Sequence, residues 1–178
     1  ALLKCAFEIW RNEIGHNDMA SGRFLALLHV KQDIFILAAL AIENDFMPVF
    51  DVLHIVEAAL QYPITLSVDS LFTLCSVQHI KTKHDMMNGA FLHRLEDRVS
   101  QDSMICIEIL NKLRKDITEE TASFYMVAAC AWSRAEPSAA VEYILVDAAS
   151  DSILLRAQAI WTLGNLIARQ QVPVNLSD

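Results

Sequence analysis

The stretch Gln158-Ala159-Ile160-Trp161-Thr162-Leu163-Gly164-Asn165-Leu166-Ile167, within the longer run 156–168, decides how the chain folds. It is too long and too apolar for a single strand. Its polar residues are Gln158, Thr162 and Asn165, followed by Arg169, at steps of four, three and four. On a helix that spacing makes one narrow polar stripe, with apolar residues on all other sides. The pattern predicts a helix buried nearly all round that shows one thin edge to solvent or a partner.

The rest of the chain is consistent with helices. The 178 residues are 54% hydrophobic and 8% aromatic, with only four glycines and four prolines. Turns are therefore scarce, and the composition argues against an all-β domain. No apolar run reaches the roughly 18 residues that a membrane span needs. The apolar run 34–42 is bounded by Gln32-Asp33 and Glu43-Asn44-Asp45. The N-terminus lacks the basic, apolar and cleavage regions of a signal peptide. It opens in apolar helix-like sequence, as a fragment of a longer chain would. A net charge of −8 disfavours binding nucleic acid through the whole surface. Cys5, Cys75, Cys106 and Cys130 lie far apart in apolar contexts, which predicts reduced, buried thiols in an intracellular protein, cytoplasmic or nuclear.

Helical spacing recurs along the chain. It predicts helices over 2–10, 19–30, 32–44, 49–60, from Pro63 to about Gln78, 90–99, 102–114, from Thr118 to about Arg134, from Glu136-Pro137 onward, and a last one capped by Asp151 or Ser152. The polar, basic segment from His79 and the turn signal Asn88-Gly89 suggest an irregular insertion at about 79–99 in an otherwise single segment spanning 1–178.

The opening stretch has counterparts. Trp161-Thr162-Leu163-Gly164-Asn165-Leu166 superposes on Phe72-Thr73-Leu74-Cys75-Ser76-Val77, on Phe35-Ile36-Leu37-Ala38-Ala39-Leu40 and, more loosely, on Met126-Val127-Ala128-Ala129-Cys130-Ala131. The starts at 35, 72, 126 and 161 are 37, 54 and 35 residues apart, close to one period with an insertion in the middle. Polar residues align too: Gln158 with Ser123, Asp69 and Gln32; Thr162 with Thr73; Asn165 with Ser76; Arg169 with Arg134 and Glu43.

Gln158–Leu166 resembles the third helix of an armadillo repeat, whose pattern is roughly Gln-Ala-x-Trp-x-Leu-x-Asn-Ile. The paired helices resemble the armadillo/HEAT superfamily along most of the chain. The resemblance implies an all-α, right-handed α-solenoid of about four armadillo/HEAT-like repeats whose third helices line a binding groove. In nuclear-import adaptors the Trp and Asn of the motif grip a basic peptide. That carry-over reaches only Trp161 and Asn165, because the other repeats offer Phe72 and Ser76, Phe35 and Ala39, and Met126 and Cys130.

The expected function is non-enzymatic: a scaffold or adaptor that binds an extended peptide or a helix of another protein, without cofactor, metal or membrane. The expected surface carries Asp69, Thr73, Ser76, Ser123, Gln158, Trp161, Thr162, Asn165 and Arg169. The expected core includes Phe35, Leu37, Leu53, Val56, Phe72, Leu74, Ile105, Ile109, Ala128, Ile144, Leu163 and Ile167. Trp161 suits a core as well as a groove. Two alternatives stand beside this reading. An import-type adaptor would bind Lys/Arg-rich peptides. A metal-dependent phosphohydrolase would use His54, His84-Asp85 and Asp116, which loosely resemble the HD-type metal set. His79, His84 and His93 lack zinc-site spacing. Lys81, Lys83, His84, His93, Arg94 and Arg98 form the one basic cluster, a solvated insertion or a site for an acidic group.

Overall fold

The expected all-α class holds: among the described residues there are eight α-helices and no β-strand. The structure, a computed structural model, describes residues 33–82 and 89–169 together with Ala26. The helices are α1 (Ile34–Glu43), α2 (Val49–Ala59), α3 (Val68–Thr82), α4 (Gly89–Val99), α5 (Ser103–Lys115), α6 (Ser123–Ala135), α7 (Pro137–Ala148) and α8 (Ile153–Ala168).

Local chemistry explains the starts. Asp33 accepts from the backbone N–H groups of Phe35 and Ile36 at 2.8 and 3.3 Å, Asp102 from Met104 at 3.0 Å, and Ser152 from Leu155 at 3.4 Å. Each satisfies helix N–H groups that have no partner within the helix. Pro137 occupies the first turn of α7, where its missing N–H costs nothing. Two starts differ from the sequence reading. α3 begins at Val68 rather than Pro63, and Ser67 Oγ accepts from the Ser70 N–H at 3.3 Å. α6 begins at Ser123 rather than Thr118, because Thr121 Oγ1 accepts from the Thr118 N–H at 3.1 Å and closes a turn first. The stretch 79–99, read as an irregular insertion, is helical at 79–82 and 89–99. Residues 83–88, the helix expected over 2–10 and, apart from Ala26, the helix expected over 19–30 lie outside the described residues.

The helices group into two compact units, one ending at Leu95 and the other starting at Glu96. In the first, α1 packs against both α2 and α3. Its apolar contacts centre on Phe35, Ala38, Val56 and Leu74, each fully buried. Asp45 leaves α1 with φ 53, in the left-handed region that Asp tolerates better than most residues. Its carboxylate receives two bonds of 2.8 Å from Lys81 Nζ and so ties the exit of α1 to the end of α3.

In the second unit α6 is the hub, packed against α5, α7 and α8, while α7 also packs on α8. Phe124, Tyr125, Ala128, Ala129, Cys130 and Ala131 of α6 are fully buried. Two carboxylates are buried with them, and each is satisfied. Asp147 of α7 accepts from Arg114 Nε at 2.5 Å and from Tyr125 Oη at 2.7 Å. The same guanidinium donates to the Tyr143 carbonyl at 3.0 Å and lies 3.2 Å over the Tyr143 ring. Tyr143 Oη donates to Asn111 Oδ1 at 2.9 Å, and its ring meets Trp132 edge-on at 5.6 Å. Burial and the Asp147 hydrogen bond push the Tyr125 hydroxyl pKa far upward, and burial pushes that of Tyr143 up to about 12. Glu96 accepts from Arg134 and from Arg169, the latter at 2.9 and 3.1 Å to its two oxygens.

Three expected core positions are corrected by the structure: Leu163 and Ile105 are half-buried, and Ile167 is 51% exposed. Trp161, which suited a core as well as a groove, is 67% exposed. The thiols are as expected where they are described: Cys75, Cys106 and Cys130 are buried. Burial, reinforced by the charge of Asp102, pushes Cys106 up to about 12, and burial pushes Cys130 up to about 11, so neither is an effective nucleophile near neutral pH.

The buried Asp147 is the most sensitive point of the second unit. Asp147→Ala leaves Arg114 and Tyr125 without their acceptor and should destabilise the protein by about 3–5 kcal/mol. Tyr125→Phe removes one donor while the ion pair remains, and should cost about 1–3 kcal/mol. Urea unfolding followed by circular dichroism measures both; equal small losses for the two variants would contradict the network.

Candidate functional site

α8 carries the opening stretch, and its two opposite sides are both apolar. At about 100° of turn per residue, Leu155, Ala159, Thr162 and Leu166 fall on one face. All four are buried. Ile153, Ala157, Ile160, Trp161, Gly164, Ile167 and Ala168 fall within an arc of about 120° on the opposite face. All seven are exposed, with Ile153 at 76%, Trp161 at 67% and Ile160 at 57%. An open recess of about 550 Å³ lies over this arc, lined among the described residues by Ala157, Ile160, Trp161, Gly164, Asn165 and Ala168. A Cβ added at Gly164 meets no atom within 4 Å, so the centre of the arc is open. On the neighbouring α7, Leu145 and Val146 are exposed as well.

The polar stripe read from the sequence is therefore the flank between these two faces. Gln158 and Asn165 are half-buried there. Asn165 Nδ2 donates to the Trp161 carbonyl at 2.9 Å, so its amide donor is turned onto its own helix. Arg169 caps α8 and is engaged with Glu96. Thr162 is a correction: it is fully buried and contributes nothing to a surface, because it faces the packed side with Ala159 and Leu166. Among the described residues its hydroxyl has no hydrogen-bond partner, and neither has the buried Oγ of Ser123, the first residue of α6.

Asp69, Thr73 and Ser76 lie in the first unit, on one exposed face of α3 that also carries Ile80, 74% exposed. Thr73 Oγ1 donates to the Asp69 carbonyl at 2.9 Å. Ser123, Gln158, Trp161, Asn165 and Arg169 belong to the second unit. Of the nine expected surface residues, the structure brings Gln158, Trp161 and Asn165 together on one helix side.

The residues that sequence reasoning missed are Ile153, Ala157, Ile160, Gly164, Ile167 and Ala168, which it assigned to the interior as apolar. A signal was present. Ile153, Ala157, Ile160, Gly164 and Ile167 follow one another at steps of four, three, four and three. Leu155, Ala159, Thr162 and Leu166 follow at four, three and four. Two such series on one helix predict two packing faces.

For the hydrolase alternative, His54 of α2 lies 3.8 Å from Glu57 and edge-on to Phe50 at 4.3 Å. Asp116 ends α5 in the other unit, and His84 and Asp85 lie outside the described residues. No group of three or more His, Cys, Asp or Glu residues could hold a metal ion among the described residues. No described helix is long and apolar enough to cross a membrane. Compared with protein-family models, with curated proteins and with solved structures, the chain matches none.

The two faces of α8 should respond oppositely to charge. Ile160→Lys should leave stability within about 0.5 kcal/mol of wild type, as an exposed substitution does. Ala159→Lys, one residue away, should abolish the cooperative melt of the second unit, since it buries an unpaired charge. Thr162→Val should hold or raise stability by up to about 1 kcal/mol, because it removes an unsatisfied buried hydroxyl. Thermal melts of the three variants check the assignment.

Proposed function

We propose that the chain is a helical-repeat module that binds another protein, and that the exposed arc of α8 receives an α-helix of that partner. The observation that carries this reading is the unbroken apolar exposure of Ile153, Ala157, Ile160, Trp161, Gly164, Ile167 and Ala168 on one side of a capped helix. Water meets several large apolar side chains there, and covering them is favourable by about 25 cal/mol per Å². Contiguous exposed patches of this kind mark interaction surfaces.

A helix suits the arc better than an extended peptide. An extended chain carries unsatisfied backbone N–H and C=O groups, and burying them without partners is costly. Among the seven arc residues only Trp161 carries a hydrogen-bonding group, a single indole N–H donor, and the amide donor of the adjacent Asn165 is turned onto the Trp161 carbonyl. A helix satisfies its own backbone. A Lys/Arg-rich peptide finds no carboxylate on α8 between Ile153 and Arg169. The solenoid reading fits as well: α1 packs on α3, and α6 on α8, the next-but-one contacts of stacked helical hairpins. The resemblance of Gln158–Leu166 to an armadillo third helix supports Trp161 and Asn165 as contact residues.

Binding of synthetic peptides tests the proposal. Helix-stapled peptides with an Ile/Leu seam should bind the protein and shift the emission of the exposed Trp161 to shorter wavelength. Proline-rich extended peptides and Lys/Arg-rich peptides should not bind. Ile160→Lys should weaken the helical peptides at least tenfold without changing the fold. Equal affinity for all three peptide classes, or indifference to Ile160→Lys, would overturn this reading.

A further inference from the structure

We infer that the occupant of the α8 arc is α8 of a second copy of this chain, paired antiparallel about a two-fold axis between Ile160 and Trp161. This rests on the reading of the arc as a helix-binding surface and names its partner.

The arc fits a second copy of itself. In an antiparallel pair centred between positions 160 and 161, Ile153 faces the second copy's Ala168, and Ala157 faces its Gly164. Ile160 faces its Trp161. Each contact occurs twice by symmetry, as an isologous interface requires. Ile153 opposes the small Ala168 at each end, with Ile167 beside it against the second copy's half-buried Leu154, and small residues oppose each other at 157 and 164, which lets the helix axes approach closely there. The bulk of Ile160 and Trp161 sits on the axis. A parallel pairing would set Trp161 on Trp161 and Ile153 on Ile153, and would align the two helix dipoles unfavourably. The steps of four and three along Ile153, Ala157, Ile160, Gly164 and Ile167 are those of a helix–helix seam.

Charge does not oppose the pairing at this face. The chain carries a net −8, which opposes self-association. That charge is absent from this face. Between Ile153 and Arg169 there is no acidic residue, and the two charged residues are Arg156 and Arg169. Arg169 is engaged with Glu96, and Arg156 Nη1 donates to the Ser150 carbonyl at 2.6 Å. The remaining repulsion is screened over about 8 Å at physiological salt. Four large side chains more than half exposed, with Ala157, Gly164 and Ala168 between them, give the few hundred Å² of apolar surface that marks an interaction patch. That is less than the about 600 Å² per partner of a standard interface at the low end of its range, so the pairing belongs to the small, weak class that forms at micromolar concentrations.

Sedimentation equilibrium over low to high micromolar concentrations tests the pairing. Wild type should reach twice the 20.0 kDa chain mass. Gly164→Leu should weaken the dimer at least tenfold while its helical circular dichroism, and its melt at concentrations where the wild type is monomeric too, are unchanged or improved, since a Cβ added there meets no described atom within 4 Å. Mixing Ala157→Cys with Gly164→Cys should give a disulfide between the two variants, located by mass spectrometry. A chain that stays monomeric throughout overturns the inference, as does a dimer indifferent to Gly164→Leu or one that crosslinks Ala157→Cys only to itself. If the monomeric chain still binds helical peptides through Ile160, the second copy alone is wrong. If it binds none, the helix-binding reading falls with it.

Discussion

The rotation of α8 about its own axis depends on Glu96. This carboxylate is buried, and Arg134 at the end of α6 and Arg169 at the end of α8 both close on it. A buried carboxylate without a cation is strongly unfavourable, so the second unit is constrained to keep these arginines in place. Turning α8 by half a turn would carry Arg169 to the far side of the helix. The clamp and the Ser152 cap hold α8 at its two ends. Everything that α8 shows to the outside follows from that orientation.

Hydrophobicity alone would choose the other orientation. The face turned inward carries Leu155, Ala159, Thr162 and Leu166; the face turned outward carries three isoleucines and a tryptophan. By transfer free energy the outer face has more to gain from burial. Shape and polarity decide against it. The hub helix α6 is rich in small buried residues, Ala128, Ala129, Cys130 and Ala131, and Ala159 and Thr162 are small enough to lie against a close-packed neighbour. A Trp or Ile at those positions would need to push the helices apart, and overpacking typically costs about 1–3 kcal/mol. The larger apolar face is thus held outward by the packing of the smaller one.

This explains how much the sequence revealed. The all-α class, most helix starts and the buried thiols were legible because they depend on local spacing, caps and apolar context. Asp33, Asp102 and Ser152 sit where capping chemistry predicts. The orientation of α8 was not legible, because both of its sides are apolar and periodicity cannot rank them. Aligning Trp161 with Phe35 and Phe72 suggested equivalent positions, yet the two phenylalanines are buried and the tryptophan is exposed. A common register in sequence does not fix a common rotation when long-range contacts such as Arg169–Glu96 set the rotation. Thr162 illustrates the same limit: hydroxyl residues mark a surface on average, and here one is fully buried without a hydrogen-bond partner among the described residues.

The buried polar groups of the second unit also bear on what kind of surface α8 can offer. Asp147 is taken up by Arg114 and Tyr125, Glu96 by Arg134 and Arg169, and the Asn165 amide by the Trp161 carbonyl. These groups fix orientation and leave the outer arc of α8 free of charge, with the Trp161 indole N–H as its one polar side-chain group. Recognition at such an arc rests on shape and apolar area, with specificity set by where bulk and gaps alternate. The alternation of Ile153, Ala157, Ile160, Gly164 and Ile167 is therefore the feature that selects a partner, and a helix with the complementary alternation is the ligand it selects.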